Sequence, residues 1–213
     1  MNEEIEQLFE CFIAAGNEVI GRPSRVTGVF TLTYGKGKGS RIVFGSGCIL
    51  NNFSINLEQG DAILELGADT YIRGRYHIGS GSKILIGDKT VMNRHALFTA
   101  MEKTVISIGS GCLFSDISMS TTDWHSIISL DSGMRINPAR DIKVEDAVWI
   151  GEGVIIQKGV TIGSGSIIGA RSIVTKSLSK NTLSVGIPAK TIKENVKWQR
   201  ELIPMEPLPA RDY

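Results

Sequence analysis

From Val144 onward an aliphatic residue returns at every sixth position: Val144, Ile150, Ile156, Ile162, Ile168 and Val174. The fifth position of each hexad is small, as at Val148, Val154, Val160, Ser166 and Ser172, and the sixth holds Trp149, Ile155, Thr161, Ile167 and Ile173. A stride of six matches neither the 3.6-residue period of a helix nor the alternation of a simple strand, but it suits a short strand followed by a turn. Three such units close a triangular coil. First-position aliphatics then stack inside, each contributing roughly 1.5–3 kcal/mol by burial. Glycine follows the first position at 45, 67, 79, 87, 109, 151, 163 and 169, where the bend is tight.

The same unit occurs upstream with insertions. Phe44, Leu66, Ile86 and Ile108 open successive groups at steps of 22, 20 and 22 residues. The pattern predicts an all-β fold, a parallel β-helix over residues 21–190. Cys48 and Cys112 fall on the small inward position and are read as packing residues, not nucleophiles.

Before the repeat, Ile5, Leu8, Phe9, Phe12, Ile13 and Val19 recur at helical spacing. They predict a capping helix over residues 1–20 that lays an apolar face on the open end of the stack. After it, TIKENVKWQREL at 191–202 predicts a second amphipathic helix, followed by a tail to 213 that Pro204, Pro207 and Pro209 keep from being helical. GKGKGSR at 35–41 lacks the Gly-Lys-Ser/Thr ending of a phosphate loop and is expected to be an outward loop. GSGSIIG at Gly163 follows the hexad spacing, not a dinucleotide fingerprint.

Composition narrows the setting. Among 213 residues, 23 basic and 22 acidic side chains leave a net charge of +1, which gives no electrostatic case for a nucleic-acid partner. MNEEIEQLFE carries acids where a secretory signal needs a basic flank, and no apolar run reaches spanning length. No integral membrane segment is therefore expected. Three separated cysteines suggest neither a disulfide framework nor a metal knuckle, and a reducing, cytoplasmic setting fits.

The stride fails between Ser120 and Ile142, where polar residues, Gly133 and Pro138 predict a long excursion from one corner. His125 is its best candidate for chemistry, because imidazole exchanges a proton near neutral pH. Asp123 either orients that ring, binds an acceptor or caps a turn. Asn137, Arg140 and Asp141 either line a pocket or anchor the loop's return. Trp149, at the outward sixth position, is exposed in a single chain and suits a subunit interface together with the neighbouring isoleucines, so a homotrimer is expected.

TTDWHSI, RINPARDIKV and VWIGEGV resemble the catalytic loop and following coil of the hexapeptide-repeat O-acetyltransferases, and the resemblance runs from about Phe44 to Lys193. It is particularly to enzymes that acetylate sialic-acid capsular polysaccharide, with galactoside and maltose acetyltransferases as broader relatives. The resemblance implies a left-handed coil, acetyl-CoA as co-substrate, no metal and a carbohydrate hydroxyl as acceptor. His125 would be the general base, although Ser126 follows it where relatives usually have proline. Asn93 would contact the reacting oxygen or the acceptor, and otherwise is a corner residue in a left-handed bend. Trp149 would flank the acetyl donor. Ala170, Thr175, Lys176, Lys190 and Lys193 match positions that contact coenzyme A, and the amides of Gly151 and Ala170 would hold its pantetheine arm.

Three alternatives remain at this point. A zinc carbonic anhydrase uses the same coil, but His77, His95 and His125 are separated by 18 and 30 residues and do not supply its close pair. An N-acetyltransferase of amino or nucleotide sugars and a non-catalytic binding scaffold are the others.

Overall fold

The computed structural model describes residues 3–204, so the expected tail beyond 204 lies outside the described residues. The chain coils through three stacks of short strands. The first contains Glu18–Ile20, Arg41–Phe44, Ile63–Leu66, Lys83–Ile86, Val105–Ile108, Ile142–Val144 and Thr161–Ile162. The second contains Val91–Met92, Leu113–Phe114, Trp149–Ile150, Ile167–Ile168 and Leu183–Gly186. The third contains Ala96–Ala100, Ile117–Ser120, Val154–Ile156 and Ile173–Val174. In the lower coils the long strands Arg25–Tyr34, Ile49–Leu57 and Tyr71–Ile78 bend around the corner between the second and third faces. Tyr71–Ile78 accordingly pairs with Val91 on one side of that corner and with Leu97–Ala100 on the other.

Register follows the hexad. Phe44 lies opposite Leu66, Leu66 opposite Ile86, Ile86 opposite Ile108, Ile108 opposite Val144 and Val144 opposite Ile162, all in parallel. The final step is 18 residues, and the step from Ile108 to Val144 is 36, so one further coil's length of chain leaves the solenoid there.

Inside, aromatic rings climb from the helix cap. Phe9 meets Phe30 edge-on at 5.6 Å, Phe53 meets Tyr76 at 4.9 Å and Tyr76 meets Phe98 at 5.2 Å. Such pairs add about 0.5–1.5 kcal/mol each beyond area burial. Above Phe98 the ladder continues through Met119, Ile156 and Val174. Cys48 and Cys112 are buried, and burial pushes the Cys112 thiol up to about 11, which fits packing residues.

Three expectations need correction. The N-terminal helix is Glu3–Ala14, not the whole of 3–20. Gly16, at φ +92°, ends it, and Asn17 staples the exit by donating to the Phe12 carbonyl and accepting from the Ser40 amide. Glu18–Ile20 can then pair as a strand with Arg41–Val43. Second, Gly35–Arg41 is no outward loop but lies flat on the next coil. A Cβ at Gly35 would stand 1.7 Å from the Glu58 carbonyl oxygen.

Third, residues 191–202 form no helix. Ala189–Lys193 turns back antiparallel on Leu183–Gly186, and the chain then descends as a strap. The Val196 amide donates to the Asn181 carbonyl, Trp198 Nε1 to that of Ala147 and Arg200 to that of Lys89. A twelve-residue helix is marginal alone. The open edge of the last strand offers ladder bonds instead, and Trp198 reaches the ring of Trp149 at 6.1 Å.

Candidate active site

The excursion is a pinned hairpin. It leaves after Ser120, and the Arg140 amide donates to the Thr121 carbonyl where it returns. Ile128 and Arg135 bridge its two legs in antiparallel fashion. Glu102, from the adjacent corner, holds both legs. It accepts from Thr122 Oγ1 at 2.8 Å on the outgoing leg and from Arg135 at 2.6 and 2.9 Å on the returning one. Those bonds, the Arg135 contact foremost, lower the Glu102 carboxyl to about 2. Asn137, buried, is the hub between the legs: its Oδ1 accepts from the Ile127 amide, and its Nδ2 donates to Asp123 and to the His125 carbonyl.

His125 sits at the end of this scaffold. Its backbone is tied at both N and O, while its exposed imidazole carries no hydrogen bond among the described residues. A ring held by its backbone and left unpaired is ready to accept a proton from a bound hydroxyl. Asp123 does not orient that ring. Its Oδ2 accepts from Lys158 Nζ and Asn137 Nδ2, and the Lys158 bond leads the causes that lower its carboxyl. Asp141 accepts from the Val105 amide at 2.8 Å, so it too anchors the return, while Arg140 remains exposed.

Asn93, Gly151 and Ala170 lie at a different corner. Asn93, Ser115 and Gly151 each donate an amide to the coil above, to Phe114, Ile150 and Ile168 respectively, which stacks them between the second and third faces. Asn93 is not in a left-handed bend, and its carbonyl accepts from Arg73 at 2.7 Å. The Gly151 amide is thus already taken, whereas the Ala170 amide, the other one expected to hold pantetheine, has no partner among the described residues. What glycine contributes at 151 is room, since a Cβ there would sit 2.7 Å from the Ala170 nitrogen. Trp149 stays 41% exposed on the second face beside Trp198. Lys190 and Lys193 lie on the antiparallel return strand. Thr175 and Lys176 follow Val174 at the loop's corner, where Gln157 and Lys158 lie one coil below.

Within one chain, then, His125 and Lys176 occupy one edge of the third face, and Asn93, Gly151 and Ala170 the other. At about 3.3 Å per residue, a four-residue strand separates them by on the order of 13 Å. Among the described residues no three His, Cys, Asp or Glu side chains gather as a metal site, and no helix is long and apolar enough to cross a membrane. Glu102, Lys158 and Trp198 escaped the sequence reading because their partners lie 20 to 51 residues away.

The profile described as "Bacterial transferase hexapeptide (six repeats)" matches residues 141–176. The chain is 35% identical over 169 residues to the polysialic acid O-acetyltransferase of Neisseria meningitidis, covering 78% of each. It is 41% identical over 130 residues to the enzyme of the same name from Escherichia coli O1:K1 / APEC, covering 61% of this chain but only 42% of that one. Its fold is similar to the crystal structure of the polysialic acid O-acetyltransferase OatWY, with a TM-score of 0.79, 30% identity and coverage of 88% and 89% of the two chains. It is also similar to the polySia-specific acetyltransferase NeuO, with a TM-score of 0.68, 28% identity and coverage of 87% and 90%. Taken with the stacked hexads and the pinned histidine loop, these likenesses establish that the chain belongs to the hexapeptide-repeat acetyltransferases.

Proposed function

We propose that this protein transfers an acetyl group from acetyl-CoA to a hydroxyl of a sialic-acid polysaccharide, with His125 as general base. The observation that carries the reading is the histidine itself, presented with an unpaired ring by a loop whose two legs are tied through Glu102 and Asn137. Similarity to polysialic acid O-acetyltransferases supplies the substrate class. The donor brings the activated acyl group. His125 takes the proton of the acceptor hydroxyl as its oxygen attacks the acyl carbon, then returns that proton to the departing thiolate sulfur. A sugar hydroxyl is scarcely ionised at pH 7, so the positioned base contributes on the order of 10²–10⁴ in rate.

The site is completed between copies of the chain. His125 and Trp149 lie on different faces, and the hairpin tip is apolar and exposed, with Leu130 at 100% and Ile127, Ile128 and Met134 about half exposed or more. A homotrimer that seats each tip on its neighbour brings the base of one protomer to the Trp149 and Ala170 edge of the next. Lys176, Lys190 and Lys193 then face the donor's phosphates, with Thr175 beside them. The free thiols Cys11, Cys48 and Cys112 fit a cytoplasmic protein.

The decisive experiment is His125→Ala. Turnover is expected to fall by 10²-fold or more while coenzyme A binding, read by calorimetry, stays within about twofold. Unchanged turnover rejects His125 as the base.

A further inference from the structure

A cavity of about 410 Å³ opens on the outer surface of the third face in the lower coils, roofed by Trp124, the residue next to His125. Its floor is a grid built by strand register. Thr31, Ser54 and Arg75 are consecutive partners in one outward row, and Thr33, Asn56 and His77 in the next. The roof is held in place, since the Trp124 amide donates to Thr122 Oγ1 and the indole stands 5.3 Å from the His77 ring.

The charges in this cavity are unbalanced. His77 Nε2 and Glu58 Oε1 are 2.7 Å apart, so the neighbouring carboxylate already has a partner. Arg75 has none: among the described residues no carboxylate, carbonyl or hydroxyl bonds its exposed guanidinium, a state it shares with Arg25 and Arg140, whereas Arg22, Arg41, Arg94, Arg135 and Arg171 are ion-paired, and of the three only Arg75 lines this cavity. A guanidinium facing a half-enclosed space is a fork for a planar two-oxygen anion. Hydroxyl and amide groups beside it suit sugar hydroxyls, and the indole offers a flat apolar surface for a pyranose ring.

We propose that this cavity is the acceptor subsite, with Arg75 reading the carboxylate of a sialyl residue while Trp124 covers its ring. The assignment rests on the acceptor class given above and adds the specificity-determining residue. It explains why the aromatic and the base are adjacent in the chain: the residue that seats the acceptor and the residue that deprotonates it are held as one unit by the pinned hairpin.

The test uses the whole 213-residue chain and oligosialic acid as probe, alongside the same oligomer with its carboxyls reduced to alcohols. By calorimetry without donor, wild type is expected to bind the acid form at least tenfold more tightly than the reduced form, and Arg75→Met to lose that preference. Arg75→Lys, which keeps charge without the fork, falls between. In turnover, Arg75→Met raises KM for the acid form tenfold or more with kcat within about threefold and KM for acetyl-CoA unchanged. Circular dichroism confirms that the variants fold. Equal binding of the two oligomers by wild type, an unaltered Arg75→Met, or no binding of the acid form overturns the subsite. If binding depends on Arg75 but wild type transfers no acetyl group to the oligomer, the subsite stands and the proposed reaction falls. If wild type turns over and Arg75→Met is indifferent, the reaction stands and the subsite falls.

Discussion

One outward row on the third face changes character as it climbs. Partner by partner it reads Thr31, Ser54, Arg75, Leu97, Ser118, Ile155 and Ile173. The lower coils repeat at 20 to 24 residues, have strands up to ten residues long and carry polar groups outward. The upper coils repeat at 18 and finally 16, have strands of two to four residues and carry isoleucines outward. Both halves bury the same inner rows, so the interior does not explain the difference. Longer coils give the lower half a broad, bent surface with room for a cavity, whereas strict hexads give the upper half a flat apolar ridge suited to a neighbour. The hairpin emerges where the two regimes meet.

The largest expected contrast lies between inside and outside. Phe98→Ala, in the aromatic ladder, should cost ~3–5 kcal/mol, and Ile155→Ala, 38% exposed, under about 1 kcal/mol, both read from urea unfolding at concentrations that dissociate the assembly. Comparable losses would mean that the outward ridge is core. Next comes the ridge itself: if it seats a neighbour in the proposed trimer, a charge at Ile155→Lys forfeits roughly 1.5–3 kcal/mol per buried copy and should shift the light-scattering mass from that of the proposed trimer to that of a monomer. A mass unchanged by the substitution would remove the ridge from the interface.

A smaller effect is expected where the halves meet. Glu102→Gln weakens both leg contacts, and because the pair is about one-third exposed the cost is held to ~1 kcal/mol, visible as faster hydrogen exchange in amides 123–137. The pH dependence has a definite sign. A carboxyl lowered from 4.5 to about 2 on folding contributes fully above about pH 4.5 and loses that contribution as pH falls toward 2. Trp124 fluorescence should report loop release across that window in wild type and not in Glu102→Gln. The smallest effect is chemical. Cys48 and Cys112, one from each half, share the inward position, so a thiol reagent at neutral pH should modify Cys11 alone until denaturant is added. Reaction of Cys112 in folded protein would break the claim of a common interior.

Much of this architecture is legible from particular residues. Val144, Ile150 and Ile156 must face inward wherever hexads close a coil, and they do. The departure at Ser120 is legible for the same reason, since a broken period is visible only against a kept one. Asn137 illustrates the limit. Its amide joins Ile127, Asp123 and His125, up to 14 residues away, and nothing in its neighbourhood distinguishes an anchor from a pocket wall. The segment 191–202 is not legible as a return strand and strap, because an amphipathic spacing serves equally for a helix or for a segment pressed onto a surface.

The sequence by itself determined the coil, its register, the inward rows and the point at which the chain leaves them, because burial acts on every residue at its own position and imposes a period that can be counted. Only the tertiary structure decided which groups share a surface. Arg75 stands between Ser54 and Leu97, from separate turns of the solenoid, and Trp198 comes back over Trp149 from the far end of the chain. Outward positions answer to neighbours that are distant in the chain and to solvent, and neither imposes a repeat.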